Sequence, residues 1–206
     1  MKKKLIVVLT MIPMLMAAQQ TTWNETPQNN KTDNTVDTRY LAGAVPMVDD
    51  HVLFETTINI PNKTKAQLYD DMLSLMQGLT TDENQIEQQS HVTLQDKDKG
   101  VLAGSYHEWM VFKNTALVLD RTRFCYHLIA DCSDGQVTLK LTRIIYIYDE
   151  ERQPQTYRAE EWINDRYGLT KKQDKLARVS GKFRRKTIDR KDFLFEKFER
   201  LLKSEK

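Results

Sequence analysis

The chain has 206 residues, with 31 Lys and Arg against 29 Asp and Glu, and 40% of its side chains are hydrophobic. Those proportions describe an ordinary globular protein and exclude disordered and wholly membrane-embedded chains. Seven Gly, five Pro and two Cys exclude collagen-like, low-complexity and disulfide-scaffold classes, and the length suits one domain with a tail.

Lys2, Lys3 and Lys4 precede Leu5 to Met16, an apolar run broken by Thr10 and Pro13, and Ala17-Ala18 then meets Gln19-Gln20. A basic start, a short apolar stretch and small residues form a secretory signal too short to span a bilayer stably, with cleavage expected after Ala18. No cysteine lies near that bond, so no lipid anchor is expected, and no later segment has the length of a transmembrane span. The mature chain is expected in the periplasm or outside the cell. Residues 19–48, rich in Thr, Asn and Gln, read as a flexible polar tether, with a single domain over residues 49–204. Residues 19–169 carry 14 basic and 23 acidic groups, whereas residues 170–206 carry 14 and 6. The basic segment either meets an anionic partner or packs on its own acidic body; the second needs no partner and is the expectation.

Val52, Phe54, Thr56, Ile58 and Ile60 alternate with polar or smaller neighbours, which is the pattern of a half-buried strand ended by Pro61-Asn62. Thr64 with Gln67 forms a capping box, and Leu68, Met72, Leu75, Met76 and Leu79 follow at helical spacing. His91–Asp96 is a second strand, Asp98-Lys99-Gly100 a turn, and Val101–Phe112 a third strand. Lys113-Asn114 then turns into Thr115–Asp131, and Cys132–Gly135 into Gln136–Tyr148. Residues 149–187 are polar and irregular, with a short helix near Ala159–Tyr167. Thr187 or Asp189 starts a last helix bearing Phe193, Phe195, Phe198, Leu201 and Leu202. The fold class expected is α+β: a curved antiparallel sheet in the order β-α-β-β-β-β-α, with two main helices on one face.

If Asp131 pairs with Gln136, Leu128 faces Leu139, Tyr126 faces Leu141 and Thr122 faces Ile145, a convincing core side. The opposite face then has Arg121 beside Tyr146, Arg123 beside Ile144, and Tyr148 further along. Pairing Phe112 with Thr115 adds Tyr106 near Arg121. Tyr106, Arg121, Arg123, Tyr146 and Tyr148 are therefore the candidate interaction face, since planar cations and aromatics give contact area at little ordering cost. The connection 149–187, with Tyr157, Trp162 and Tyr167, is expected to fold over that face, as long connections commonly seal leftover apolar surface.

The four histidines, His51, His91, His107 and His127, lack metal-motif spacing, and no Cys-x-x-Cys, nucleophile elbow or phosphate loop is present, so no metal, cofactor or catalytic residue is assigned. Cys125 and Cys132 lie on opposite faces by parity, which disfavours a disulfide. Lys182–Lys186 is a charge run read as solvated rather than as a nucleic-acid patch.

The signal, the strand Val52–Ile60 with Pro61-Asn62-Lys63-Thr64, the helix bearing Leu68-Tyr69, the Asp98-Lys99-Gly100 turn and Arg184-Arg185-Lys186-Thr187-Ile188-Asp189 together resemble a family of exported bacterial proteins. That family carries a domain of unknown function described as having a TATA-binding-protein-like (TBP-like) fold. The resemblance covers about residues 50–204. It implies the topology read above and no activity, and the fold name does not imply DNA binding. The leading functional reading is a non-catalytic envelope module that binds a protein or glycan through the Arg/Tyr face. The alternative is a carrier of a small apolar ligand held between the sheet and the last helix. A hydrolase ranks third.

Overall fold

The computed structural model describes residues 37–204. The expected signal with its cleavage bond after Ala18, and residues 19–36 of the expected tether, lie outside the described residues. Seven strands and four α-helices follow one another: β1 (Met47–Val48), β2 (His51–Asn59), α1 (Lys65–Leu79), β3 (His91–Asp96), β4 (Val101–Thr115), β5 (Val118–Ser133), β6 (Gln136–Tyr148), β7 (Gln155–Arg158), α2 (Ala159–Trp162), α3 (Asp165–Gly168) and α4 (Gly181–Ser204). The antiparallel sheet runs β1-β2-β6-β5-β4-β3, and β7 joins the half of β6 that β2 leaves unpaired. Both long helices pack on one face, so the expected α+β class and order hold, with β1, β7 and the short α2 and α3 added.

Alternation places the core. Leu102, Tyr106 and Met110 of β4, Phe124, Tyr126 and Leu128 of β5, and Val137, Leu139 and Leu141 of β6 are buried under the helices. The Thr64–Gln67 capping box forms as read, and α1 buries Leu68, Tyr69, Met72, Met76 and Leu79. Gly104 is required by close approach: a Cβ there would lie 2.6 Å from the Tyr106 ring, which folds back so that its hydroxyl donates to the Met76 carbonyl at 2.9 Å.

Register differs from the expectation in two places. The β5–β6 turn is a two-residue Asp134-Gly135 loop closed by Ser133 and Gln136, with Gly135 at φ 76°. Asp-Gly suits this tight hairpin because the glycine takes positive φ without strain. The β4–β5 hairpin closes at Thr115 and Val118, beyond the Lys113-Asn114 turn expected, after a bulge at Phe112. A second irregularity sits at Arg143, whose φ is 56°. It changes the inward parity of β6 from Leu139 and Leu141 to Ile144 and Tyr146, a bulge that period-2 reading passes over.

The last helix starts at Gly181, earlier than Thr187 or Asp189. The charge run 182–186 is only partly solvated: Arg185 is exposed and Lys182 half-buried, but Phe183, Arg184 and Lys186 are buried. Arg184 donates to the carbonyls of Tyr40 (2.6 Å), Leu41 (2.5 Å) and Ile163 (2.7 Å) and to Asp165 Oδ1 at 2.8 Å. Residues 37–48 are thus docked on the domain, which shortens the tether expected to reach residue 48; Tyr40 and Val45 are buried, and the Tyr40 hydroxyl donates to Asp189 at 2.7 Å. One turn on, the Thr187 hydroxyl shares a 2.6 Å hydrogen bond with that of Tyr146. Next, Arg190 meets Glu108 of β4 as a two-pronged pair at 2.8 and 2.6 Å, the side chains 2% and 0% exposed. Gln85 adds a bond to Glu108 at 2.7 Å and is held in turn by the Ser90 hydroxyl at 2.7 Å. Burial pushes the Glu108 carboxyl above its ordinary value, and the Arg190 guanidinium offsets part of that push.

Arg190→Met strands the Glu108 carboxylate and is expected to cost about 3–5 kcal/mol in chemical denaturation. Replacing both partners (Glu108→Leu with Arg190→Met) is expected to cost less than the single change, because no buried charge is left uncompensated. A group whose folded value is raised binds its proton more tightly in the folded chain, so its contribution to stability falls as pH rises. Without Arg190 the deficit should be larger at about pH 7 than at about pH 5; an equal deficit at both contradicts this. Arg184→Met frees three buried carbonyls, with an expected loss of roughly 2–4 kcal/mol and tryptic cleavage after Arg39 in the folded variant.

Candidate functional site

The sheet face away from the helices carries the odd-numbered residues of β4 and β5. Ser105, His107 and Trp109 of β4 lie beside His127, Cys125 and Arg123 of β5. Leu119 and Arg121 extend the row toward the hairpin tip, and Ile145 and Ile147 of β6 flank it. The connection after β6 borders this face with residues 149–152 but does not fold over it. Tyr157 and Trp162 stack at 3.9 Å and meet Phe183 of α4 at 6.2 and 5.9 Å, so they close the helix side instead. The face expected to be sealed is open.

Arg121 and Arg123 are on this open face. The Arg121 guanidinium lies 3.8 Å from the centre of the Trp109 ring, and Arg123 lies 6.0 Å from it. Arg121 also donates to Glu151 at 2.9 Å, a partner whose side chain is 78% exposed. Arg123 is held more firmly, paired through two nitrogens with Glu150 and bonded to Gln89 at 2.7 Å. Stacking on an indole and a planar fork are both properties of arginine rather than lysine.

The three tyrosines go elsewhere. Tyr106 is fully buried opposite Tyr126, ring centres 5.5 Å apart, because the β4–β5 register differs in parity from the one expected. Tyr146 is fully buried because of the Arg143 bulge, and its ring meets Phe183 at 5.1 Å. Desolvation and an occupied hydroxyl make both core groups; burial raises the hydroxyl of each well above the ordinary tyrosine range. Tyr148 is half-buried at the rim, where it donates to Asp120 at 2.9 Å and accepts from Lys182 at 3.1 Å. The Arg/Tyr face is therefore two faces: arginines outside, tyrosines inside or at the edge.

Between the β4–β5 tip and the loop after β6 lies an open cleft of about 650 Å³, lined by Trp109, Leu117, Leu119, Arg121, Ile147 and Glu151 among others. Leu117, Val118 and Leu119 are 94%, 44% and 54% exposed. Sequence reasoning missed Trp109, whose alternation with His107 and Val111 was the available signal, and the turn at Ala116-Leu117, which it read as part of the strand Thr115–Asp131.

Chemistry on the open face is limited. Burial pushes the Cys125 thiol up to about 11 and lowers His107, whose Nδ1 lies 3.5 Å from the sulfur. A thiol held that high is a poor nucleophile at neutral pH. Cys132, on the core side, is pushed up to about 12 by burial, and both cysteines are free. Among the described residues no group of three or more His, Cys, Asp or Glu is placed to hold a metal ion, and no helix is long and apolar enough to cross a membrane. Slow alkylation is the expected outcome for both thiols in the folded chain at about pH 8, measured against the unfolded chain; equal rates contradict their burial.

The description "Domain of unknown function (DUF4468) with TBP-like fold" matches residues 54–147, a span that runs from β2 to near the end of β6 and contains Trp109, Arg121 and Arg123. A search of curated proteins gives no match. Among solved structures, a TBP-like protein from Parabacteroides distasonis shares the fold at TM-score 0.61 and 19% identity, over 78% of this chain and 97% of its own. A DUF4468 family protein from Bacteroides ovatus aligns with TM-score 0.72 and 41% identity, over 80% of this chain and 92% of its own. At that identity over nearly the whole of the relative, this chain belongs to the DUF4468 family and has its TBP-like fold.

Proposed function

We propose that the protein is an exported, non-catalytic module that binds a protein or glycan of the cell envelope through the open sheet face. One observation carries the reading: a half-buried Trp109–Arg121 stack at 3.8 Å on the outer sheet face, at the mouth of a 650 Å³ cleft with an apolar lip. Trp and Arg are among the residues in which interface energy concentrates. The pair is also preorganised, since Glu151 holds Arg121 from the other side. The basic signal-like N-terminus supports export. The family description names a fold and no activity, and the thiol of the Cys125–His107 pair on the face is pushed up to about 11 by burial.

The described residues do not favour the carrier reading. Phe183, Leu194, Phe198 and Leu202 fill the space between α4 and the sheet, each no more than 1% exposed. A second open groove of about 370 Å³ beside α4 and β2 is rimmed by Glu55, Lys191, Asp192, Glu196 and Glu199, poor company for an apolar ligand.

Envelope material passed over the immobilised protein tests the proposal. Trp109→Ala and Arg121→Glu are each expected to weaken capture of the retained partner by about tenfold or more, while leaving the thermal midpoint within a few degrees. Retention of full capture by both variants rejects the face as the binding site.

A further inference from the structure

β4 and β5 outrun the rest of the sheet. β6 ends at Tyr148 opposite Thr122, and the chain turns away at Asp149, where φ is 51°. Val118 to Arg121 therefore pair with β4 on one side and, among the described residues, with no strand on the other. Alternate residues along that edge present their amide and carbonyl to the cleft. An exposed edge that must stay solitary is ordinarily blunted by a bulge, a lysine or a proline. β3, one outer edge of the sheet, has such a device, a bulge between Val92 and Leu94. The Ala116–Leu119 stretch has none, and its apolar side chains are the most exposed stretch of large hydrophobics in the domain.

We infer that this edge is a docking site for a second copy of the chain, the two β5 edges pairing antiparallel about a two-fold axis. Charge decides between a second copy and a strand of another protein. The cleft carries Asp120, Asp149, Glu150 and Glu151 together with Arg121 and Arg152, and two of those acids are neutralised from outside it, Asp120 by Lys182 and Glu150 by Arg123. Both signs on one balanced patch are what an isologous contact requires, since the patch must complement itself. A cationic or an acidic peptide would meet like charge over half the surface. Antiparallel pairing is also the only strand pairing that a two-fold axis perpendicular to the sheet generates. An axis beside Leu119 sets that residue against its own mate and brings Leu117 of one copy alongside Arg121 and Glu151 of the other. The apolar lip is then covered on both copies by one contact. The inference goes beyond the recognition reading; the two surfaces share the cleft and Arg121, and Trp109, which the strand pairing does not use, tells them apart.

A contact of this length is at the small end of specific interfaces, so a dissociation constant on the order of 10 µM is expected. Sedimentation velocity of the chain purified from its own host, over a concentration range spanning that value, should show a monomer–dimer equilibrium. Leu119→Lys and Leu117→Lys should each weaken it by about tenfold or more with unchanged thermal midpoints, since both side chains are exposed. Leu119→Cys should give a covalent dimer under mild oxidation, the native thiols being buried. A wild-type chain that remains monomeric throughout, or a dimer that survives both lysine substitutions, overturns the inference. So does a monomer that binds an extended peptide of another protein at this edge. Dimerisation that persists in Trp109→Ala while partner capture is lost separates the two surfaces.

Discussion

The Glu108–Arg190 pair, buried between the middle of β4 and the middle of α4, is the constraint on which the arrangement turns. Two charges taken out of water require matched geometry, and a helix shifted by one turn would leave both unpaired. The pair therefore fixes α4 along its axis and in rotation. Thr187 and Phe183, one and two turns earlier on the same face, are then delivered to Tyr146. Arg184 is delivered to the carbonyls of Tyr40, Leu41 and Ile163. The first half of α4 thus draws the N-terminal segment, α2 and α3 onto the domain.

That economy on the helix side leaves the other face of the sheet bare. The long connection after β6 spends its aromatics, Tyr157 and Trp162, on Phe183, and β7 extends the sheet instead of crossing it. What remains outside is a two-stranded platform of Trp109, Arg121 and Arg123 held by Glu150 and Glu151 from the β6–β7 loop. The loop is aimed by two residues in left-handed conformation, Arg143 and Asp149, which set where β6 changes face and where it stops. The same early stop of β6 exposes the β5 edge. The proposed recognition surface and the inferred self-association edge have one structural cause.

Much of the fold was legible from local patterns. The alternation Val52–Ile60, the Thr64–Gln67 box and the stripe Leu68–Leu79 each follow from short-range physics, and each element forms where it was read. Less of the site was legible. A single extra residue at Arg143 reverses the faces downstream, and nothing in Leu141-Thr142-Arg143-Ile144 marks it, since none of these residues favours positive φ as glycine, asparagine and aspartate do. Ala116-Leu117 has no turn chemistry; its position is imposed by the Tyr106–Tyr126 register deep in the sheet. The start of α4 was hidden by charge. Arg184, Thr187 and Arg190 continue the buried face of Leu194, Phe198 and Leu202 at helical spacing, but they read as polar because their partners, from Tyr40 to Glu108, are distant in sequence.

Export and recognition through the open sheet face, as proposed, require that face to meet an envelope partner in the living cell. Site-specific photo-crosslinking in the native host decides it most directly, with one probe at Ile147 on the open face and one at Glu199 on the exposed side of α4. Crosslinks to an envelope component from Ile147, absent from Glu199, are the predicted result. Crosslinks from Glu199 with none from Ile147 would contradict it, placing recognition on the helix side and leaving the Trp109–Arg121 stack without a binding role.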